Sequence, residues 1–306
     1  MKIYINKIKE DWIIDRLVNE WRFAFPGQTT SSLKDADIIW IIAPWTWKKI
    51  SKRALNKKKI ICSIYHIDEQ TFDYKDFYDL DKFVHQYHVI SEETKKDLSK
   101  LTDKKIISIP FWINENNFYM INDKNFLRTK YGFNHEHFIL GSFQRDTEGK
   151  DLVSPKLIKG PDIFIKIAKK LNSSEKNLVV VLAGTRRQYV IKNLIENNIN
   201  YKYFEMTSLK SLNELYNILD LYLVTSRKEG GPQAILECAI SKTPIMSTHV
   251  GVAPEILKPS SIFNESNFNY SNTKIDLDYN FENASKYLLD KGINLFFSMF
   301  KEFYEN

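Results

Sequence analysis

The sequence has few cysteines and no long apolar run. Its 306 residues include two cysteines, Cys62 and Cys238, and both lie inside apolar segments. This usage indicates buried thiols in a reducing compartment rather than a disulfide framework. No apolar run approaches the ~20 residues of a membrane-spanning helix, and residues 1–12 lack the continuous apolar core of a signal peptide. We therefore expect a cytoplasmic protein.

The composition is that of a folded chain with more than one domain. Hydrophobic residues make up 43% of the sequence and aromatic residues 14%, which excludes global disorder and permits a sizeable core. A length of 306 residues suits two domains of roughly 150 residues each. The net charge of +6 is a mild bias toward anionic partners.

Short apolar runs alternate with helical patterns along most of the chain. Strands are predicted at 2–6, 37–43, 59–65, 87–90, 106–109, 138–143, 178–183, 201–204, 221–225 and 244–247. Helices are predicted at 13–25, 47–55, 92–101, 160–171, 186–197, 209–219 and 232–240. This alternation indicates βαβ units and parallel sheets, and therefore an α/β fold.

A polar, Asn-rich segment divides the chain. Residues 111–122 have neither a strand nor a helix period, so we interpret them as a linker. They separate a first domain at 1–110 from a second at 123–280. The last segment, 281–306, carries apolar residues at helical spacing and is predicted to form a C-terminal helix.

The most informative stretch is residues 219–257. The apolar run 221–224 suits a strand buried on both faces, and a Gly-Gly-Pro sequence and a helical pattern follow it. A strand, a glycine loop and a helix N-terminus form an anion-binding arrangement, because free backbone N–H groups and the helix dipole point the same way. Two carboxylates, Glu229 and Glu237, bracket this point.

The wider context of these two glutamates carries a resemblance to a known family. The spacing Glu229-x7-Glu237, with Gly-Gly after the first and Thr-Pro-Ile-Met-Ser-Thr-x-Val-Gly-x-x-Pro-Glu-Ile after the second, resembles the donor site of family 4 glycosyltransferases. The resemblance implies a GT-B fold, in which two Rossmann-like domains face each other across a cleft. It also implies retaining transfer of a sugar from a nucleotide-diphosphate donor. The alternative is that Glu237 is a solvated helix carboxylate and Glu229 a cap.

The resemblance is close in the second half of the chain and loose in the first. The first domain looks trimmed, and the family's N-terminal glycine-rich loop is missing after residues 3–5, where Lys7 and Lys9 are the available cations. In the family a C-terminal helix crosses back onto the first domain, which 281–306 could do.

The resemblance assigns cations to the donor diphosphate. Arg145, just past a glycine-bearing strand, and Lys159, in a Lys-Gly pair, would hold the diphosphate and favour its departure. Lys150 and Lys156, in the long segment between them, are rival cations. Backbone N–H groups of the glycine loop and of the start of the following helix would also bind the diphosphate; this stretch comprises Gly230, Gly231, Pro232 and Gln233.

The nucleoside and the sugar have their own matches. Glu237 matches the family's ribose ligand, and the base would lie near Met206 and Thr207. Glu229 matches a glutamate close to the donor sugar. His66, at the end of a predicted strand, matches a histidine that lines the catalytic centre, although a structural histidine is the alternative.

Two further features leave alternatives open. Arg186 and Arg187 follow another predicted strand, and are either site residues or a solvated helix start. Residues 45–59 hold seven cations and no anion, with Trp47 and Ile50 on one helical face. This segment is either a surface helix that packs on the sheet or an interfacial helix on anionic lipid.

No metal site is predicted. The six histidines and two cysteines show no ligand spacing. Asp79-Leu80-Asp81 and Asp276-Leu277-Asp278 are Asp-x-Asp pairs, but neither follows a strand that would direct both carboxylates at a diphosphate. With arginine and lysine available, a metal is not needed.

These patterns together predict a metal-independent, retaining glycosyltransferase of the hexosyl type. It would use a UDP-sugar or GDP-sugar, no cofactor and no nucleic acid, and a glycan or lipid-linked acceptor, with possible contact between 45–59 and the inner membrane face. One alternative is a GT-B-fold sugar-nucleotide isomerase, which would need no acceptor. Another is a non-catalytic sugar-nucleotide-binding module, which the trimmed first domain motivates.

Overall fold

The computed structural model describes residues 1–6, 13–175 and 177–306. The chain forms two compact units, Met1–Trp112 together with Asp290–Asn306, and Ile113–Leu289. Lys7 and Lys9, the cations available where the family has its glycine-rich loop, lie outside the described residues. No helix in the described part of the chain has both the length and the apolar character that crossing a membrane requires.

The first unit is built on a six-stranded parallel sheet. Its strands are β1 (Ile3–Asn6), β2 (Thr29–Thr30), β3 (Ile38–Ile41), β4 (Lys59–Ile64), β5 (Gln86–Val89) and β6 (Lys105–Ser108). They lie in the order β2-β1-β3-β4-β5-β6. The accompanying helices are α1 (Ile13–Ala24), α2 (Lys52–Leu55), α3 (Tyr74–Asp81) and α4 (Glu92–Leu98), with 3₁₀ turns at Pro26–Gln28 and Pro44–Lys49.

The second unit repeats the plan with a different strand order. Its parallel strands are β7 (Phe138–Ser142), β8 (Leu178–Ala183), β9 (Asn200–Phe204), β10 (Leu221–Val224), β11 (Ile245–Thr248) and β12 (Ile262–Phe263). The helices are α5 (Lys124–Lys130), α6 (Pro161–Ser174), α7 (Gln188–Glu196), α8 (Leu209–Ile218), α9 (Gln233–Ile240), α10 (Ala253–Ile256) and α11 (Leu277–Ala284). The 3₁₀ turns are Leu157–Lys159, Pro259–Ser261 and Ser285–Tyr287. The predicted strands of both units are confirmed, each within two residues at either end.

The order of the second sheet reverses between β7 and β10. The strands lie in the order β12-β11-β10-β7-β8-β9, so the chain builds outward from β7 on one side and then returns to place β10 on the other. This is the order of the doubly wound Rossmann fold, in which ligands bind beyond the carboxyl ends of the strands at the reversal. The segments that follow β7 and β10 are therefore the first place to look for a site.

Strands β8 and β10 of this sheet are buried on both faces, as the apolar run at 221–224 predicted for β10. Every residue of β8 and of β10 is buried. Because side chains alternate along a strand, Val224 packs with residues of α9 in one apolar cluster, and Leu223 packs with residues of α6 in another. Burial of one such side chain contributes ~1.5–3 kcal/mol to the free energy of unfolding.

The prediction of one uninterrupted helix over 281–306 is wrong. Helix α11 ends at Ala284, the 3₁₀ turn Ser285–Tyr287 follows, and α12 (Leu289–Glu305) begins afterwards. Leu288 is extended, with φ −53° and ψ 153°, and it bridges Ile113 in parallel, while the Ile113 N–H donates to the Tyr287 carbonyl at 2.8 Å. Because Leu288 pairs with Ile113 in an extended conformation, the helix is interrupted at this residue.

Helix α12 packs within the first unit against aromatic side chains. Phe300 is fully buried, and its ring centroid lies 5.1 Å from that of Trp40 and 5.3 Å from that of Trp21. Lys59 donates to two carbonyl oxygens in the last turn of α12, where the helix dipole favours a cation. The C-terminal segment is therefore an integral part of the first unit.

The basic segment 45–59 does not form a single helix. A 3₁₀ turn, Pro44–Lys49, is followed by the one-turn helix α2, whose N-cap is Ser51. Trp47 and Ile50 are 7% and 5% exposed and belong to the core of the first unit, and the Trp47 indole donates to Asp76 Oδ2 at 2.9 Å. The interpretation that these two side chains face lipid is wrong, because the sheet already buries them. An electrostatic contact through the exposed cations stays a prediction.

Candidate active site

The segments after β7 and β10 are in contact with each other. The two strands are hydrogen-bonded neighbours, with Leu221 opposite Leu140. Gln144 and Arg145 follow β7, and the Ser226 hydroxyl, which follows β10, lies 3.3 Å from Gln144 Oε1. The predicted cation Arg145 and the predicted glycine loop therefore stand at the same edge of the second sheet.

Lys159 and Glu229 meet at this edge as an ion pair. Lys159 Nζ contacts Glu229 Oε1, and the two side chains are only 25% and 11% exposed. The Ser226 hydroxyl lies 3.1 Å from the same carboxylate oxygen, and the Gln144 amide donates to the Lys159 carbonyl oxygen at 2.8 Å. The structure thus brings together two predicted site residues and supports them with Gln144 and Ser226, which the sequence patterns did not single out.

The Lys-Gly pair is placed by a backbone contact that only glycine permits. Gly160 has a φ of +62°, and a Cβ atom built on it would lie 1.7 Å from the Thr225 carbonyl oxygen. Gly160 ends the 3₁₀ turn that carries Lys159 and is the N-cap of α6, with Pro161 at the first helical position. The glycine therefore holds Lys159 against the segment that follows β10.

A second close approach holds the Gly230-Gly231 loop. Gly251 has a φ of +49°, and a Cβ atom on it would lie 2.0 Å from the Gly230 carbonyl oxygen. Pro232 is the N-cap of α9, so the helix begins one residue after it. Gln233 Oε1 is buried without a hydrogen-bond partner among the described residues. The first N–H groups of α9 have no partner within the helix, and its dipole favours an anion at this end.

Glu237 lies one turn further along α9. It is 6% exposed, and the Tyr216 hydroxyl donates to its Oε2 at 2.8 Å. Burial, with the nearby carboxylate, raises the pKa of Tyr216 well above its usual value, so the phenol remains a donor. The alternative in which Glu237 is a solvated carboxylate is therefore wrong.

Arg187 is a structural residue, and neither of the interpretations of it made from the sequence is correct. Its side chain is 1% exposed, and Nε donates to Asp146 Oδ2 at 2.8 Å. Its Nη1 donates to the Ala183 carbonyl at 3.0 Å and to that of Ser142. Burial raises the pKa of Asp146, while Arg187 acts to lower it. This pair ties the ends of β7 and β8 together and is neither a solvated helix start nor a free cation.

The other predicted residues are spread more widely. Arg145 and Thr207 are half-buried, whereas Met206, after the edge strand β9, is 84% exposed. Lys156 is half-buried and Lys150 exposed on the segment between β7 and α6. His66 is half-buried and follows β4, so it belongs to the first unit while the rest belong to the second.

The two Asp-x-Asp pairs have structural partners. Asp79 forms a salt bridge with Lys82 at 2.6 Å, and Asp81 accepts from the Tyr87 hydroxyl at 2.9 Å. Asp276 caps α11 and pairs with Lys258 at 2.7 Å. Across residues 1–6, 13–175 and 177–306, no group of three or more histidine, cysteine, aspartate or glutamate side chains is arranged to hold a metal ion.

Comparison with known proteins places this site within a recognised domain. Residues 154–274 match the family model described as glycosyl transferases group 1, a range that includes Lys159, Glu229 and Glu237 but not Arg145 or His66. A search of curated proteins finds no match.

Solved structures share the whole architecture. HepE from Anabaena, in complex with UDP and glucose, is 12% identical with a TM-score of 0.75, covering 99% of this chain and 100% of HepE. Sucrose-phosphate synthase from Thermosynechococcus elongatus is 11% identical with a TM-score of 0.71, covering 98% of this chain and 81% of the synthase. A glycosyltransferase from Rickettsia africae is 16% identical with a TM-score of 0.63, covering 98% of this chain and 84% of that protein.

These similarities confirm the predicted fold. At such identities the neighbours establish architecture alone, and that architecture, with two parallel six-stranded sheets and flanking helices, is GT-B. The matched domain and the shared architecture together support a glycosyltransferase of the GT-B fold.

Proposed function

We propose that the chain is a retaining glycosyltransferase that moves a hexosyl group from a UDP-sugar or GDP-sugar to a glycan or lipid-linked acceptor, without a metal. The observation that carries this proposal is the gathering of Lys159, Glu229, the glycine loop and Glu237 beyond the carboxyl end of β10. The matched domain contains all of them. The family 4 resemblance of their spacing supports retention of configuration.

The donor diphosphate is proposed to bind between Lys159, Arg145 and the N-terminus of α9. Backbone N–H groups of the glycine loop and the first helical turn supply donors that need no rearrangement when charge develops on the leaving group. In this structure the charge of Lys159 is balanced by Glu229. A diphosphate would compete with the Glu229 carboxylate for the Lys159 ammonium group. The affinity for the diphosphate therefore depends on how far the Lys159 side chain can turn toward the ligand.

The nucleoside is proposed to extend from the diphosphate toward Glu237. A carboxylate can accept hydrogen bonds from two vicinal ribose hydroxyls, and such bonds to a charged group contribute ~1.5–3 kcal/mol each. The base would then lie toward Met206 and Thr207, which follow the edge strand β9. The UDP in the HepE structure supports a nucleoside diphosphate as the ligand class.

The sugar is proposed to lie near Glu229 and His66. Glu229 would interact with the donor sugar ring, and the family 4 resemblance assigns His66 to the catalytic centre. The fixed cations and helix dipole are the proposed substitute for a metal, so activity is expected to persist in excess EDTA. A loss that Mg²⁺ or Mn²⁺ restores would contradict metal independence.

A donor screen tests the proposal and separates it from its alternatives. Thermal unfolding is measured with UDP, GDP and their sugars; a ligand at 100 times its dissociation constant adds ~2.7 kcal/mol to the free energy of unfolding. The donor that binds is then incubated with and without glycan acceptors. Acceptor-dependent release of nucleoside diphosphate is expected. Interconversion of nucleotide sugars without acceptor would indicate an isomerase, and binding without turnover would indicate a binding module.

A further inference from the structure

Tyr216 is a buried hydrogen-bond partner of Glu237 within the second unit. Tyr216 lies on α8, Glu237 lies on α9, and the phenol hydroxyl donates to Oε2 at 2.8 Å. Both side chains are buried, at 2% and 6% exposure. A buried carboxylate oxygen needs such a donor, because an unsatisfied charged group is costly to desolvate.

The position of the Tyr216 hydroxyl is fixed by its surroundings. The ring centroid lies 4.9 Å from that of Phe143 and 5.4 Å from that of Tyr222. The Tyr216 carbonyl oxygen accepts from the Thr243 hydroxyl at 3.0 Å, which ties this turn of α8 to the chain just after α9. The hydroxyl cannot leave Glu237 unless this packing is broken.

In the hydrogen bond between Tyr216 and Glu237, the phenol is the donor and the carboxylate is the acceptor. A phenol has one proton to donate, and the raised pKa of Tyr216 keeps that proton in place at neutral pH. An ionised carboxylate only accepts. Tyr216 therefore constrains the rotation of the Glu237 carboxylate, and that rotation sets the direction in which the other acceptor sites of the carboxylate point.

We propose that Tyr216 is a positioning residue that sets the Glu237 carboxylate for the ribose 2′ and 3′ hydroxyls, and so determines selectivity for ribonucleotide over deoxyribonucleotide donors. This inference rests on the proposed function, since it takes a nucleoside diphosphate as the ligand. Tyr216 does not touch the ligand; it acts through the geometry of Glu237.

The test compares UDP and GDP with their 2′-deoxy counterparts by titration calorimetry. The wild type should bind the ribonucleotide about 10- to 100-fold more tightly than the deoxynucleotide, as expected when a charged hydrogen bond is lost. Tyr216→Phe should reduce that preference about tenfold, which corresponds to ~1.4 kcal/mol. Adding Tyr216→Phe to Glu237→Ala should leave the remaining preference unchanged, because the side chain through which Tyr216 acts is then absent.

Tyr222→Phe is the matched control. Tyr222 belongs to the same aromatic cluster and is 1% exposed, but its hydroxyl accepts from the Phe143 N–H at 3.1 Å and has no contact with Glu237 in the hydrogen-bond network. It should keep the wild-type preference for ribose. Circular dichroism checks that both variants fold, and each keeps its ring so that the packing is retained.

The possible outcomes are distinct. If the wild type binds neither UDP nor GDP, the proposed function and this inference both fail. If it binds them and Tyr216→Phe keeps the full ribose preference, the inference alone is overturned. A loss of preference that Tyr222→Phe matches would also overturn it, since the effect would then belong to the packing and not to the hydrogen bond.

Discussion

At the scale of single residues, the phosphate assignment makes the first prediction. Lys159→Ala and Arg145→Ala should each weaken binding of UDP or GDP by about tenfold or more, because one charge-assisted contact contributes ~1.5–3 kcal/mol. Lys166→Ala is the control, because that lysine is 65% exposed on α6 and pairs with Glu265 at 3.1 Å. Calorimetric titration measures the affinities. Unchanged affinity in both site variants would remove Lys159 and Arg145 from the diphosphate site.

A buried histidine in the first unit makes the second prediction. His88 is fully buried; Nε2 lies 2.8 Å from the Ile109 carbonyl oxygen and so donates to it, which leaves Nδ1 to accept from the Ser63 hydroxyl at 2.9 Å. Burial lowers the pKa of His88 to about 4. Between this value and the ~6.5 of an unfolded histidine, the unfolded chain binds more protons, so stability falls as the pH decreases through that window.

The expected loss is ~2 kcal/mol between pH 7 and pH 5, at ~1.4 kcal/mol per pH unit below the unfolded pKa. His88→Gln, which keeps a donor and an acceptor, should lack this component. Urea unfolding is followed by tryptophan fluorescence, since all six tryptophans lie within residues 1–112 and report on the first unit. Equal pH dependence in the wild type and the variant would show that His88 is not protonated on unfolding.

Sequence reasoning reached only some of the site residues, for a physical reason. Glu229 and Glu237 stand in one contiguous pattern and Lys159 stands in a separate Lys-Gly pair, and the structure places all three in one unit. Tyr216 had no such signal, because its role comes from a contact 21 positions away in sequence. Arg187 was misread because its partner Asp146 lies 41 positions away. The roles assigned to the predicted site residues stay predictions.

At the scale of the elements, the turn at Gly160 is the most sensitive backbone feature of the site. In Gly160→Ala the alanine would have to adopt a φ of +62°, and its Cβ would lie 1.7 Å from the Thr225 carbonyl oxygen. The turn must therefore shift. We expect a loss of ~1–3 kcal/mol of stability and weaker nucleotide binding, because Lys159 precedes this glycine. Gly27→Ala is the control, since nothing lies within 4 Å of its added Cβ. Thermal unfolding and calorimetry measure both effects; wild-type values for Gly160→Ala would contradict the proposed role of the turn.

Strands were more predictable than helices in this chain. Fully buried strands such as β8 are continuous apolar runs, and their pattern is sufficient to predict them. Helix α3 was not predicted because half of its eight residues, in the sequence YKDFYDLD, are charged. It is stabilised by an Asp73 cap that accepts from the Asp76 N–H at 2.9 Å. The two-residue strand β2 is too short to leave a periodic pattern. The break before α12 depends on pairing with Ile113, which no local pattern reports.

At the scale of the whole molecule, the alternation of strands and helices predicted parallel sheets, and the length, the linker and the family resemblance predicted two domains. The alternation of strands and helices does not predict the order of the strands within a sheet. The reversal between β7 and β10, which marks the site, is therefore known only from the structure of the sheet. The return of α12 to the first unit is likewise a long-range packing effect, because its aromatic residues fill space beside Trp21 and Trp40.

The surface charge of residues 45–59 makes the prediction that belongs to this scale. Five cations of this segment are exposed, and one of them, Lys48, is paired with Asp76 at 2.5 Å. The other four, Lys49, Lys52, Arg53 and Lys57, should contribute ~4 kcal/mol of attraction to an anionic surface, at ~1 kcal/mol each. Because Trp47 and Ile50 are buried and Trp45 is the one large apolar side chain exposed in 45–59, the attachment should be mainly electrostatic and weakened at high salt. Co-sedimentation with phosphatidylserine vesicles at low and high salt measures it.

Two quadruple variants distinguish an effect of the four cations in 45–59 from an effect of the protein's total charge. Replacing Lys49, Lys52, Arg53 and Lys57 with glutamine should abolish sedimentation. The same change at Lys166, Lys169, Lys192 and Lys291, which are exposed elsewhere, should have little effect. Wild-type protein that stays in the supernatant at low salt would show that the segment is only a packed surface element.

The central claim is the transfer of a sugar from a nucleoside diphosphate with retention of configuration. The most direct measurement is a proton NMR time course of the donor identified by thermal shift, mixed with a panel of glycan acceptors. We expect acceptor-dependent release of nucleoside diphosphate and a new glycosidic anomeric signal with the configuration of the donor, and both should be lost in Glu229→Ala. An inverted anomeric signal would contradict retention, and epimerised donor, or a bound donor that is never consumed, would contradict transfer.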